Sequence, residues 1–198
     1  MTPVDGADFR RVAGQFASGI MVVTTRLEGM DHAMTVTAFA SVSLEPQRVL
    51  FCAEKIARFH DAVLAAGIWA VSVLDEDSEK TARWLATRGR PLDDQLAGIA
   101  HHPGPQTGSA VLDDALGAIE CRTTAVHDGG DHAIVVGEVI GVSELQPGRR
   151  PLIHHGAPIY IHLCRTAPHA ERHDPASASS LGGEPDAHEI REHAACYR

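Results

Sequence analysis

The chain has 198 residues, 44% of them hydrophobic, and a formal net charge of −9 with histidine neutral, which suits one domain with a substantial core and no need of disulfides. The acidic excess argues against a nucleic-acid partner, whose phosphates call for clustered Lys and Arg. The longest apolar runs, such as residues 68–74, fall far short of the roughly 20 residues a bilayer demands, and the acidic N-terminus lacks the basic and oily regions of a signal peptide. A soluble, cytoplasmic protein with no membrane partner is expected.

Taken in chain order, Asp5 is placed to cap a helix in which Phe9, Val12, Ala13 and Phe16 recur at helical spacing, with Gly19 to end it. That helix is expected to lie as a lid on a sheet. Strand-like runs follow at residues 20–25, 33–39, 49–53 and 68–74, with short helical patterns at 57–66 and 78–88. Two long β-rich runs, 116–127 and 132–145, are joined by Asp128-Gly129-Gly130-Asp131, whose glycines permit a tight hairpin. A last strand is expected at 158–164. Many strands, hairpin connections and few helices predict a mainly β fold, an antiparallel barrel rather than a doubly wound sheet. No Gly-x-Gly-x-x-Gly and no Gly-Lys-Ser/Thr loop occurs, so any nucleotide is held without a Rossmann fold or a P-loop.

The domain is expected to span residues 1–165. Residues 166–198 form a tail rich in His, Pro, Ala and Ser, a composition too poor in apolar groups to repay ordering over 166–187, with a short helix expected at 187–197. His188-Glu189 and His193 share residue types with a zinc-protease signature, but a spacing of five turns the two histidines about 140° apart on a helix, so no metal site is assigned. The four cysteines, Cys52, Cys121, Cys164 and Cys196, are scattered without a Cys-x-x-Cys pair, which predicts reduced thiols; Cys52 and Cys121 sit in strand-like runs and read as core.

Residues 34–44 read Met-Thr-Val-Thr-Ala-Phe-Ala-Ser-Val-Ser-Leu. In one strand, Thr35, Thr37, Ser41 and Ser43 would share a face of small hydroxyls, opposite an oily face, with no charge on either. A hydroxyl row suits a neutral polar ligand; the same residues also make an ordinary edge strand. A second stretch, Gly130-Asp131-His132, opens a strand that continues to Gly137-Glu138-Val139.

Together with Gly19-Ile20-Met21-Val22-Val23-Thr24-Thr25, Leu44-Glu45-Pro46, Val49-Leu50-Phe51-Cys52 and Trp69-Ala70-Val71-Ser72-Val73-Leu74, these stretches resemble the flavin reductase family, the reductase components of two-component monooxygenases, from about Phe9 to His162. The resemblance implies a split antiparallel β-barrel homodimer that takes hydride from NADH, passes it to FAD or FMN and releases reduced flavin to a partner monooxygenase. It carries flavin contacts onto Thr35, Val36, Thr37, Ala38, Ser41 and Ser43, then onto Cys52, Ala53, Glu54 and Lys55. Lys55 and Arg58 are expected at the flavin phosphate, with Arg88 a further candidate and Glu54 opposed to it; a plain surface ion pair is the other reading of these charges. Ala57 stands where family members often carry Ser, and His154-His155-Gly156 replaces the usual aromatic or Arg before that Gly. By the same resemblance His132 sits beside the nicotinamide, Asp131 holds its tautomer and Tyr160 lines the nucleotide pocket. The Asp-Gly-Gly-Asp-His turn leans to FAD, and no Arg cluster for a 2′-phosphate is evident in the sequence, which favours NADH. Two other readings stay open: a split-barrel module that binds flavin without reducing it, and an oxidase that keeps its flavin.

Overall fold

The computed structural model describes residues 3–156. Asp5 caps α1 (Gly6–Ala13), its carboxylate accepting from the amides of Ala7 at 2.7 Å and Asp8 at 3.3 Å. The helix stops at Gly14, whose amide donates to Arg10 and Val12 carbonyls, and not at Gly19, which lies in the short strand β1 (Ser18–Gly19). No residue of α1 is buried, and Phe9, Val12 and Phe16 are exposed. Spacing reported the apolar face correctly but not what it covers: the expected lid does not form on this chain's own sheet.

The next four strands make two hairpins. The strands β2 (Met21–Leu27) and β3 (Met30–Val36) turn at Glu28 and Gly29, both at positive φ, and β4 (Phe39–Leu44) turns into β5 (Gln47–Glu54). Then come α2 (Arg58–Ala66), closed by left-handed Gly67, and β6 (Ile68–Val73). After α3 (Glu79–Ala86) a small hairpin, β7 (His101–Pro103) and β8 (Ala110–Leu112), precedes the long pair β9 (Gly117–Gly129) and β10 (His132–Glu144). The short β11 (Ile153–His154) returns to pair with β1. The expected strand at 158–164 and the tail lie outside the described residues.

Seven strands form one sheet in the order β3-β2-β6-β9-β10-β5-β4, antiparallel at every step. Its end strands, β3 and β4, are consecutive in sequence and joined only by Thr37 and Ala38. Three residue steps reach about 11 Å at most, so the two ends of the sheet meet there, where the Cys52 amide donates to Ala38 O at 3.0 Å. The result is a mainly β, split antiparallel barrel with few short helices, as the strand pattern predicts.

The barrel is filled by Met21, Val23, Val36, Val49, Phe51, Phe59, Val63, Trp69, Val71, Cys121 and Val135. Phe51 packs edge-on to Trp69 at 4.8 Å between centroids, and the Trp69 indole N–H donates to Thr123 Oγ1 at 3.0 Å. Gly137 is required by that ring: a Cβ there would lie 2.5 Å from Trp69 Cζ2. On the other face, Val22 of β2 and Ile20 just before it pack with Ala82 and Leu85 of α3, Ala33, Leu74 and Leu152. Burial on both faces holds β2 and β3 firmly under α3. No helix among the described residues is long and apolar enough to cross a membrane.

Candidate active site

A cleft of about 630 Å³ opens beside the join of the two sheet ends, between β3, the 37–38 connection, the ends of β5 and β10, the start of α2 and the segment after α3. Side chains from that segment build its wall. Arg90 donates through Nη2 to Ala33 O and to Gln95 Oε1, and through Nη1 to Thr87 O at 2.9 Å. Gln95 Nε2 donates to Asp31 O at 2.5 Å, and the Trp84 indole N–H donates to Gln95 O at 2.8 Å. Asp31 and Ala33 are two apart on an end strand, so the segment satisfies carbonyls that no neighbouring strand reaches. Thr35 Oγ1 donates to Ala82 O at 2.8 Å, fastening β3 to α3, and Arg58 Nη2 donates to Arg90 O.

The cleft is cationic although the chain is acidic. Arg58, Arg88, Arg90, His32 and His132 line it, and Glu54 is the one carboxylate that does so among the described residues. Burial, and then the Arg58 charge, pull the Arg90 guanidinium below its ordinary pKa. Burial and Arg58 likewise lower His32, with Asp31 acting the other way. Apolar groups complete the lining, among them Met34, Val36, Ile56 and Phe59. Such a surface accepts a flat ring compound that carries phosphate.

His132 begins β10, directly opposite Glu54 of β5. Its Nδ1 lies 2.7 Å from Asp131 Oδ1, and the hydrogen bond and charge of His132 hold that exposed carboxyl below the usual range. An ionised carboxylate only accepts, so Nδ1 carries the hydrogen and Nε2 is left as the other polar end of the ring. Cys52 also lines the cleft, its thiol pKa raised by burial, while Cys121 is buried and pushed up to about 12 by burial and Glu120. Both read as neutral thiols.

The fold brings together Thr35, Val36, Thr37, Ala38, Cys52 and Glu54, and adds Arg58, Arg88 and His132. Five expected residues lie elsewhere. Ser41 and Ser43 belong to β4, beyond the break at Thr37–Ala38, so residues 34–44 are not one strand with one hydroxyl face. A register shift between Ser41 and Ser43 further re-aims β4. Ala53 is buried in the barrel opposite Ala133. Lys55 turns to Asp128, which its ammonium holds below the usual carboxylate range, and Asp131 reaches the cleft only through His132. Tyr160 lies outside the described residues. His32, Arg90 and Gln95 are lining residues that sequence reading missed; Arg90, two residues after Arg88, was the one visible hint. The fold brings Arg58 to the Arg88-Gly89-Arg90 stretch.

A split antiparallel barrel with a cationic, partly apolar cleft beside the join of its sheet ends is the class of structure this chain adopts. The family model for the flavin reductase like domain matches residues 13–160, and this chain belongs to that flavin reductase family. It is 36% identical over 171 residues to the reductase subunit HsaB of a flavin-dependent monooxygenase from Rhodococcus jostii, covering 86% of each chain. It is 37% identical over 156 residues to an NADH-dependent FAD reductase from Streptomyces globisporus, covering 78% of this chain and 84% of the relative. The solved NADH:FAD oxidoreductase SgcE6 of Streptomyces globisporus, in complex with NAD and FAD fragments, superposes with a TM-score of 0.74 at 34% identity, over 86% of this chain and all of that one.

Proposed function

We propose that this chain is an NADH-dependent flavin reductase that supplies reduced flavin, FAD or FMN, to a partner monooxygenase. The observation that carries the reading is the cleft: arginines concentrated in an acidic protein, beside an apolar lining of the size a flavin needs, at the join of the barrel's ends. The residues fit the cofactors. Arg88 presents a cationic end to phosphate, with the charges of Arg58 and Arg90 beside it in the wall, Val36, Phe59 and Ile56 offer apolar contact to a ring, and the amides of Thr37 and Ala38 lie outside the sheet ladder. The cofactors, when bound, supply the hydride chemistry itself.

The protein's part is proximity and order. His132, fixed by Asp131, presents Nε2 to the nicotinamide carboxamide and orients that ring. Thr35 and the Arg90 ties keep β3 and the segment after α3 at a fixed separation, which sets the width of the cleft. NADH is the donor and FAD the preferred acceptor in this reading, which places the protein in the cytoplasm and treats it as a homodimer. The exposed apolar side chains of α1 (Phe9, Val12), of Phe16 just after it and of β4 (Val42, Leu44) are the surfaces a second copy would cover.

The test is NADH absorbance loss with purified protein and no flavin, excess FAD or excess FMN. Fast oxidation only when flavin is supplied is the expected result and names the flavin. No oxidation with either flavin overturns the reductase reading in favour of a binding module.

A further inference from the structure

A nucleotide brings negative phosphate into the cleft, yet the cleft presents it with a carboxylate. Glu54 ends β5 with its side chain 28% exposed and pairs with Arg88 Nη2, whose side chain is 73% exposed. The other two arginines are committed to the scaffold: Arg58 donates to Arg90 O, and Arg90 to Thr87 O, Ala33 O and Gln95. Arg88 alone among these three is held only by a side chain in the described contacts. It is the guanidinium that can change partner without unpicking the wall, because an exposed ion pair is weak enough to exchange in water.

We propose that Glu54 sets the nucleotide affinity of the cleft by holding Arg88 and competing for it with the phosphate of the incoming ligand. The inference rests on the flavin reductase reading and deepens it: a reductase that delivers its product by diffusion needs a site that lets go. Glu54 opposes binding in two ways that act together. It occupies the mobile cation, and its own charge faces the same space. With Arg88 drawn to phosphate, Glu54 is left uncompensated at the rim, and the return of Arg88 to Glu54 favours release. The phosphate in question is that of the flavin or the pyrophosphate of the nicotinamide nucleotide.

The experiment measures equilibrium binding of FAD, FMN, riboflavin and NAD⁺ to wild type, Glu54→Gln, Arg88→Gln and the double variant, with thermal melts to check folding. Glu54→Gln is expected to tighten the phosphate-bearing ligand about three- to fivefold and to leave riboflavin, which has no phosphate, unchanged. In the Arg88→Gln background the gain is expected to vanish. A gain with FAD and FMN assigns the contact to the flavin phosphate, and a gain with NAD⁺ alone assigns it to the nicotinamide nucleotide; either supports the competition. Equal affinities for wild type and Glu54→Gln, tightening that includes riboflavin, or a gain that survives in the double variant would overturn it. Should the amide disturb folding, Glu54→Ala carries the same expectation. Because binding is read without turnover, protein that binds flavin but does not oxidise NADH would sink the reductase reading and leave this inference standing.

Discussion

The strands β3 and β4 are the two ends of one sheet, two residues apart in sequence, and they meet their surroundings differently. The outer edge of β3 is closed by side chains: Arg90 takes Ala33 O, Gln95 takes Asp31 O, and α3 lies against it through Thr35 and Ala82. Along β4 no residue is fully buried, and Ala40, Val42 and Leu44, the parity that would be the oily inner face of a single strand, point outward. An end strand needs its edge managed, and here one end is covered to make a cleft while the other is left as an apolar surface. The chemistry gathers on the covered side because polar side chains that satisfy an edge also fix the wall they form.

The largest effect should come from uncovering β3. Arg90→Ala removes the donors from Ala33 O, Thr87 O and Gln95, and is expected to cost about 2–3 kcal/mol in urea unfolding and to weaken FAD binding with it. A wild-type midpoint would mean that other contacts hold the edge. The open end is tested by association: in the proposed homodimer, Val42→Asp combined with Leu44→Asp should leave a monomer by light scattering, with the barrel still folded. An unchanged mass would free β4 from any part in the interface. Smaller effects separate the hydroxyls that one alternation placed together. Thr35→Val should lose about 1 kcal/mol, the worth of its bond to α3, whereas Ser41→Ala and Ser43→Ala should stay within about 0.5 kcal/mol with FAD affinity unchanged.

The smallest difference is in pH response. His32 of β3 has its pKa lowered from 6.5, by burial first and by Arg58 second; β4 carries no titratable side chain. Between that lowered value and 6.5 the unfolded chain binds a proton that the folded protein does not, so stability rises with pH across this window. The wild type should therefore lose stability as pH falls below about 6.5, and His32→Asn should flatten that slope in thermal melts between about pH 7.5 and about pH 5. Parallel slopes in the two proteins would show that His32 is as easily protonated folded as unfolded.

Period-two alternation and turn residues were enough to find β2, β5, β6, β9 and β10, the hairpin at Gly130, and the helices α2 and α3, each within a few residues, because these patterns are local. From them came the class of fold, and from the ordered stretches around 34–46 and 130–139 the family. Local pattern failed where the outcome depends on distant chain. Alternation of hydroxyl and apolar residues between 34 and 44 is interrupted only at Phe39, and that one interruption does not by itself mark Thr37–Ala38 as the place where the two ends of a sheet meet. The spacing of Phe9, Val12 and Phe16 announces an apolar face but not its partner. The wall of the cleft is made by contacts spanning 57 residues, from Arg90 to Ala33, and 64 residues, from Gln95 to Asp31. Hydrogen bonds of that reach depend on how the sheet closes, so composition and local spacing determined what kind of protein this is, and tertiary structure decided which of its polar residues face the ligand.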